Sequence, residues 1–173
     1  MAVLSRKQLS ELNPDKIYNI QTFVLHHERW VNVDNTLSTT LNAPVKIEFD
    51  KDIRTKLGGL KDKKGIYMFF VEPDFPFVPS CNYLMYVGRV IGGNTFFARF
   101  YDYIKGIGNT TVRRNIQLLT NLWPGHTWVY FFELNLTDAR ISAIEKNLYD
   151  NIVPPLNNSF SAKGAKNSRS IYV

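Results

Sequence analysis

The stretch Gly65-Ile66-Tyr67-Met68-Phe69-Phe70-Val71 decides the fold. Successive side chains of an extended chain point to opposite faces, so Ile66, Met68 and Phe70 form one row and Tyr67, Phe69 and Val71 the other. Both rows are apolar, which reads as a central strand covered on two sides. A loop carrying Pro73, Pro76 and Pro79 follows, because those rings deny ladder donors and stop either strand from extending. The chain returns through Tyr83-Leu84-Met85-Tyr86-Val87-Gly88-Arg89, a second strand of the same character. Thr95 then reads as an N-cap, and Phe96 to Ile104 as a helix with its aromatic residues at helical spacing. A hairpin with a tyrosine on each strand, followed by a helix bearing Arg99, is the scaffold.

Working outward, Val45-Lys46-Ile47-Glu48-Phe49 alternates like an edge strand, and Asp50 to Leu57 reads as one or two helical turns ended by Gly58-Gly59. Lys61, Lys63 and Lys64 stand just before the first central strand. Further upstream, residues 1–13 read as a short helix stopped by Asn13-Pro14, residues 16–33 suit helix or strand, and residues 34–44 are a polar turn region. Downstream, a helix over residues 111–121 carries Arg113 and Arg114. Thr127 to Leu134 is a third strand, and Thr137 caps a last helix through Ile152 that Pro154-Pro155 terminates. A tail from Ser159 holds Lys163, Lys166 and Arg169.

Hydrophobic residues make up 45% and aromatics 14% of the 173 residues, the composition of a globular chain of one domain or one domain with an extension. Lys and Arg outnumber Asp and Glu by 21 to 15, giving a formal charge of +6 and an isoelectric point near 9.4, which favours an anionic partner such as nucleic acid. Cys81 is the only cysteine, which excludes an intrachain disulfide and a zinc site built on several cysteines. Neither a signal-peptide core nor an apolar run of membrane-spanning length is present, so a soluble cytoplasmic protein is expected.

One residue is out of place by composition. On the last helix Ile141, Ile144, Leu148 and Ile152 form an apolar stripe, and at about 100° per residue Glu145 falls inside it. A carboxylate there needs a cation, a donor or a metal to offset its desolvation, unless it bends out to solvent. Arg99 and Tyr103, four apart on the earlier helix, stand at the border of its aromatic face.

In identity and order, Gly65-Ile66-Tyr67, Tyr86-Val87-Gly88, Arg99 on a helix, Glu145 on a later helix and Pro155-Leu156-Asn157 just past it resemble the GIY-YIG endonuclease family. The resemblance covers residues 65 to about 158. It implies an α+β fold, a small three-stranded antiparallel sheet flanked by helices. Residues 1–60 would then be an N-terminal extension with a role in DNA recognition, 61–158 the catalytic domain, and 159–173 a basic tail. Many members carry His four residues after the arginine; this chain has Tyr103. The interval from Gly88 to Arg99 also contains Gly92-Gly93, slightly longer than in compact members.

The resemblance implies a Mg²⁺- or Mn²⁺-dependent endonuclease that hydrolyses phosphodiester bonds of double-stranded DNA. Tyr67, Tyr86, Arg99, Glu145 and Asn157 would be its catalytic set, supported by Gly88, Arg89 and Tyr103. Glu145 would hold the metal, and Arg99 the scissile phosphate. Tyr67 is the candidate general base; an unperturbed phenol is ionised only about one part in a thousand at pH 7, so neighbouring positive charge would have to lower its pKa, and activity should rise through the alkaline range. Lys61, Lys63, Lys64, Arg89, Arg113 and Arg114 are the candidate DNA contacts. A sequence-directed enzyme of restriction or mobile-element type, cutting as a dimer or by sequential nicking, is the first expectation. A repair or recombination nuclease that reads DNA structure, and a non-catalytic nucleic-acid-binding module, are the alternatives.

Overall fold

The structure, a computed structural model, describes residues 35, 40–72, 82–106, 116, 119–120 and 122–157. The expected elements over residues 1–33, the proline loop, most of the helix over residues 111–121 with Arg113 and Arg114, and the basic tail lie outside the described residues.

Four strands form one antiparallel sheet: β1 (Val45–Glu48), β2 (Gly65–Val71), β3 (Tyr83–Val90) and β4 (Thr127–Glu133), in the spatial order β1-β4-β2-β3. Three helices accompany it: α1 (Ile53–Lys56), α2 (Phe96–Gly106) and α3 (Asp138–Ile152). The α+β class is as expected, but the sheet has four strands where three were expected. The fourth is the alternating Val45–Glu48 segment, which pairs along β4 with Val45 opposite Phe131 and Ile47 opposite Val129. Ile47 and Phe49, with Ile53, Leu57 and Leu60 behind them, are buried in the same core as Phe69 and Phe100. Residues 45–60 therefore contribute to the sheet and its core, through apolar side chains spaced two to four positions apart that tie the segment to the strands that follow.

The sheet is covered on two faces, as the double apolar row of β2 requires. Tyr67, Phe69 and Val71 face α2 and pack with Phe96, Phe100 and Tyr103. Ile66 and Met68 face α3 and pack with Ile141, Ile144 and Leu148. Both helices start on side-chain caps: Thr95 Oγ1 accepts from the Ala98 N–H at 3.2 Å, and Thr137 Oγ1 from the Arg140 N–H at 3.4 Å.

Two glycines are dictated by contact. Gly65 has φ 148°, and a Cβ there would stand 2.0 Å from the Phe132 carbonyl oxygen of β4. A Cβ on Gly88 would stand 2.4 Å from both Cζ and Oη of Tyr67, because Tyr67 and Gly88 are register partners and the phenol lies across the glycine.

At the end of α3, Val153 adopts a left-handed conformation (φ 54°, ψ 57°) and its N–H reaches the Tyr149 carbonyl at 2.9 Å. The turn sends residues 154–157 along the outer side of β3. There the Leu156 N–H donates to the Met85 carbonyl, and Asn157 takes both backbone groups of Val87: its Oδ1 accepts from the Val87 N–H at 2.9 Å and its Nδ2 donates to the Val87 carbonyl at 2.8 Å. A side chain thus completes the ladder that an edge strand leaves open. Among the described residues no helix is long and apolar enough to cross a membrane.

Candidate active site

Strand alternation and the β2–β3 register sort the candidate residues by face. Tyr67 and Tyr86, with Gly88 between Tyr86 and the strand's end, lie on the α2 side, while Arg89, opposite Ile66, lies on the α3 side.

On the α2 side Tyr67 is 2% exposed, and its hydroxyl is hydrogen-bonded to that of Tyr103 at 2.5 Å. The Tyr86 ring lies 6.3 Å from the Tyr67 ring, and Phe100 meets Tyr67 edge-on at 5.3 Å. Burial pushes the Tyr67 phenol well above its ordinary value, and the neighbouring Tyr103 and Tyr86 add to the rise; the Arg99 charge opposes it and is outweighed. This corrects the expectation that positive charge activates Tyr67 as a phenolate base. The group here is a neutral phenol that donates or accepts one hydrogen bond. Tyr103, expected at the border of the aromatic stripe, is 1% exposed and part of the core. The signal for this was legible: positions 96, 100 and 103 follow the spacing of one helix face. Arg99, one turn before Tyr103, is half-buried, and its Nε is buried without a hydrogen-bond partner. A guanidinium held beside the neutral Tyr67 phenol is suited to an anion brought from outside.

On the α3 side Glu145 is 7% exposed inside the stripe of Ile141, Ile144 and Leu148, where its position predicted it. Its required partner is Arg89, whose Nη1 donates to Glu145 Oε2. The expected gathering of phenols, Arg99 and Glu145 around one hollow is therefore not what the fold builds. Tyr67, Tyr86, Tyr103 and Arg99 share one face, Glu145 and Arg89 the other, and the consecutive residues Gly88 and Arg89 of β3 join the two sets. Asn157 sits on the same rim, tied to the backbone of Val87.

The lysine run divides in the same way. Lys63 pairs with Glu133 at 2.7 Å and Lys64 with Asp138 at 3.0 Å, whereas Lys61 is over the Phe97 ring, 4.8 Å from its centroid. Two of the three expected phosphate contacts thus already hold carboxylates.

Among the described residues no group of three or more His, Cys, Asp or Glu side chains could hold a metal ion, and Glu145, the single carboxylate expected to hold Mg²⁺ or Mn²⁺, accepts from the Arg89 guanidinium. Comparison of the chain with known protein families, with curated proteins and with solved structures finds no match.

Proposed function

We propose that this chain is a DNA endonuclease of GIY-YIG type that hydrolyses phosphodiester bonds at the rim of β3, sequence-directed in the manner of restriction or mobile-element enzymes. The observation that carries the reading is the seating of Tyr67 on Gly88. Two tripeptides some twenty residues apart meet in register, and the second glycine has no room for a side chain because the first tyrosine fills it. Arg99 stands beside that phenol with an unsatisfied buried N–H. A phosphate at the rim would be reached by Arg99 from one face and by Arg89, paired with Glu145, from the other. Arg99 would bind it and stabilise the charge that builds as the phosphorus–oxygen bond breaks. Tyr67, uncharged and hydrogen-bonded to Tyr103, would orient the attacking water.

The pairing of Glu145 with Arg89 favours a second reading, a nucleic-acid-binding module without catalysis. One assay separates them: purified protein with supercoiled plasmid and with branched DNA, in Mg²⁺, Mn²⁺ or EDTA, beside Arg99→Ala and Glu145→Ala. The proposal expects discrete fragments, and a rate about 100-fold to 1,000-fold lower for Arg99→Ala. Preferential cutting of branches moves the assignment to a structure-specific nuclease. Retention of DNA without cutting under every metal condition favours the binding module and sinks the nuclease.

A further inference from the structure

On the flank of α2 away from Arg99, three cations and two aromatic rings alternate. Arg54, on α1, places its guanidinium carbon 3.7 Å from the Phe97 ring centroid and 4.3 Å from that of Tyr101. Lys61 caps the other end of Phe97 at 4.8 Å, and Lys105 stands 4.0 Å over Tyr101. The sequence Lys61, Phe97, Arg54, Tyr101, Lys105 thus forms a ladder that follows the helix for about two turns, or roughly 12 Å.

Of the acidic residues near the ladder in sequence, Glu48 and Asp50 are engaged with Lys56, while Asp52, Asp62 and Asp102 stand exposed and outside any ion pair. Among the described residues no carboxylate forms an ion pair with Arg54, Lys61 or Lys105, in contrast to Lys46, Lys56, Lys63, Lys64 and Arg89, which all have one. The Arg54 Nε is buried without a hydrogen-bond partner. A guanidinium beside aromatic rings keeps N–H donors that can receive a phosphate with two hydrogen bonds. Lys105, beside the Tyr101 hydroxyl, and Arg54 also hold that phenol below its ordinary value.

We infer that the Lys61–Arg54–Lys105 ladder is a docking surface for the phosphate backbone of duplex DNA, read without regard to sequence. The inference deepens the nuclease reading and rests on it for the choice of DNA as the anion. The ladder and Arg99 flank the buried stripe of Phe96, Phe100 and Tyr103 on opposite sides, so a duplex held at the ladder continues across the exposed side of α2 toward the rim of β3. A lipid surface is the poorer fit, because both aromatic faces are already covered by cations and offer nothing to insert.

The test is the salt dependence of binding of a fluorescent 30-base-pair duplex in EDTA, where cutting cannot intervene. The triple variant Arg54→Gln, Lys61→Gln, Lys105→Gln is compared with Lys46→Gln, Lys56→Gln, Lys63→Gln, which removes the same charge from paired positions. Loss of three phosphate contacts reduces the log–log slope by about 2.7, at about 0.9 per contact, and the control leaves it near the wild-type value. Tyr101→Leu changes no charge and weakens binding about two- to fivefold by removing a platform. Equal slopes for the ladder variant and wild type, equal losses in both triple variants, or retention on phosphatidylserine vesicles with none on DNA overturns the inference. A protein that shows the slope change yet cuts no DNA in Mg²⁺ or Mn²⁺ keeps the ladder and loses the nuclease, so the two fail separately. Thermal unfolding of each variant confirms that the compared proteins are folded.

Discussion

Tyr67 meets three demands at once. It fills the space over Gly88, it bonds Tyr103, and its phenol is pushed far from ionisation by burial. The last of these has a sign that can be measured. Below about pH 10 the phenol is neutral in both the folded and the unfolded chain, and stability is unaffected. Above that the unfolded chain gives up the proton and the folded one keeps it, so stability falls as pH rises, by up to about 1.4 kcal/mol per pH unit from this group. Thermal melts from pH 8 to pH 11 should show Tyr67→Phe losing less stability on the alkaline side than wild type, although it is the less stable of the two at pH 8 for want of the Tyr103 bond. Parallel curves would mean that the phenol ionises freely. Any cleavage rate should likewise show no rise from Tyr67 between pH 7 and pH 9.

At the scale of elements, much was legible from local pattern. Two apolar rows on alternate residues marked β2 at its observed bounds, and Thr95 and Thr137 marked the starts of α2 and α3, because capping is chemistry between near neighbours. The burial of Glu145 was legible from its angle on the helix, but its partner was not: Arg89 is 56 positions away and reaches it only because α3 packs under β3. The register shift between Phe69 and Phe70, which sets Tyr86 opposite the first and Leu84 opposite the second, comes from pairing and leaves no mark in either strand's composition. Asn157 is the element-scale device whose worth can be tested. Replacing it with Ala strips partners from two backbone groups of Val87, and denaturant unfolding should report a loss of about 1–3 kcal/mol. Asn157→Asp should recover part of this, since it accepts from the N–H and cannot donate to the carbonyl. A loss below about 0.5 kcal/mol would show that water replaces the amide fully.

At the scale of the molecule, the resemblance over residues 65–158 describes less than the unit that folds. β1 closes the open side of β4, and Phe49, Ile53 and Leu57 complete the core against α2. A chain beginning at Lys61 should therefore expose a strand edge and a strip of core, and give a broad, aggregation-prone melt in place of a cooperative one. A sharp transition from that shortened chain would return residues 45–60 to the status of an appendage. Overall charge, by contrast, was a weak guide. A formal +6 says nothing of where the charge is free, and only the packed structure separates Lys61, on an aromatic ring, from Lys63 and Lys64 in ion pairs.

The spatial order β1-β4-β2-β3 carries one more consequence, for how the chain is made. As the polypeptide leaves the ribosome, β2 and β3 emerge as neighbours and can zip together at once, but among the described residues β1 pairs only with β4, and that must wait until residue 133 is free. The last strand to be synthesised must slot between two older ones. Until then the edges of β1 and β2 lack the strand that joins them, so closure of the sheet waits for residues 127–133 to emerge, with a chaperone's window open before it.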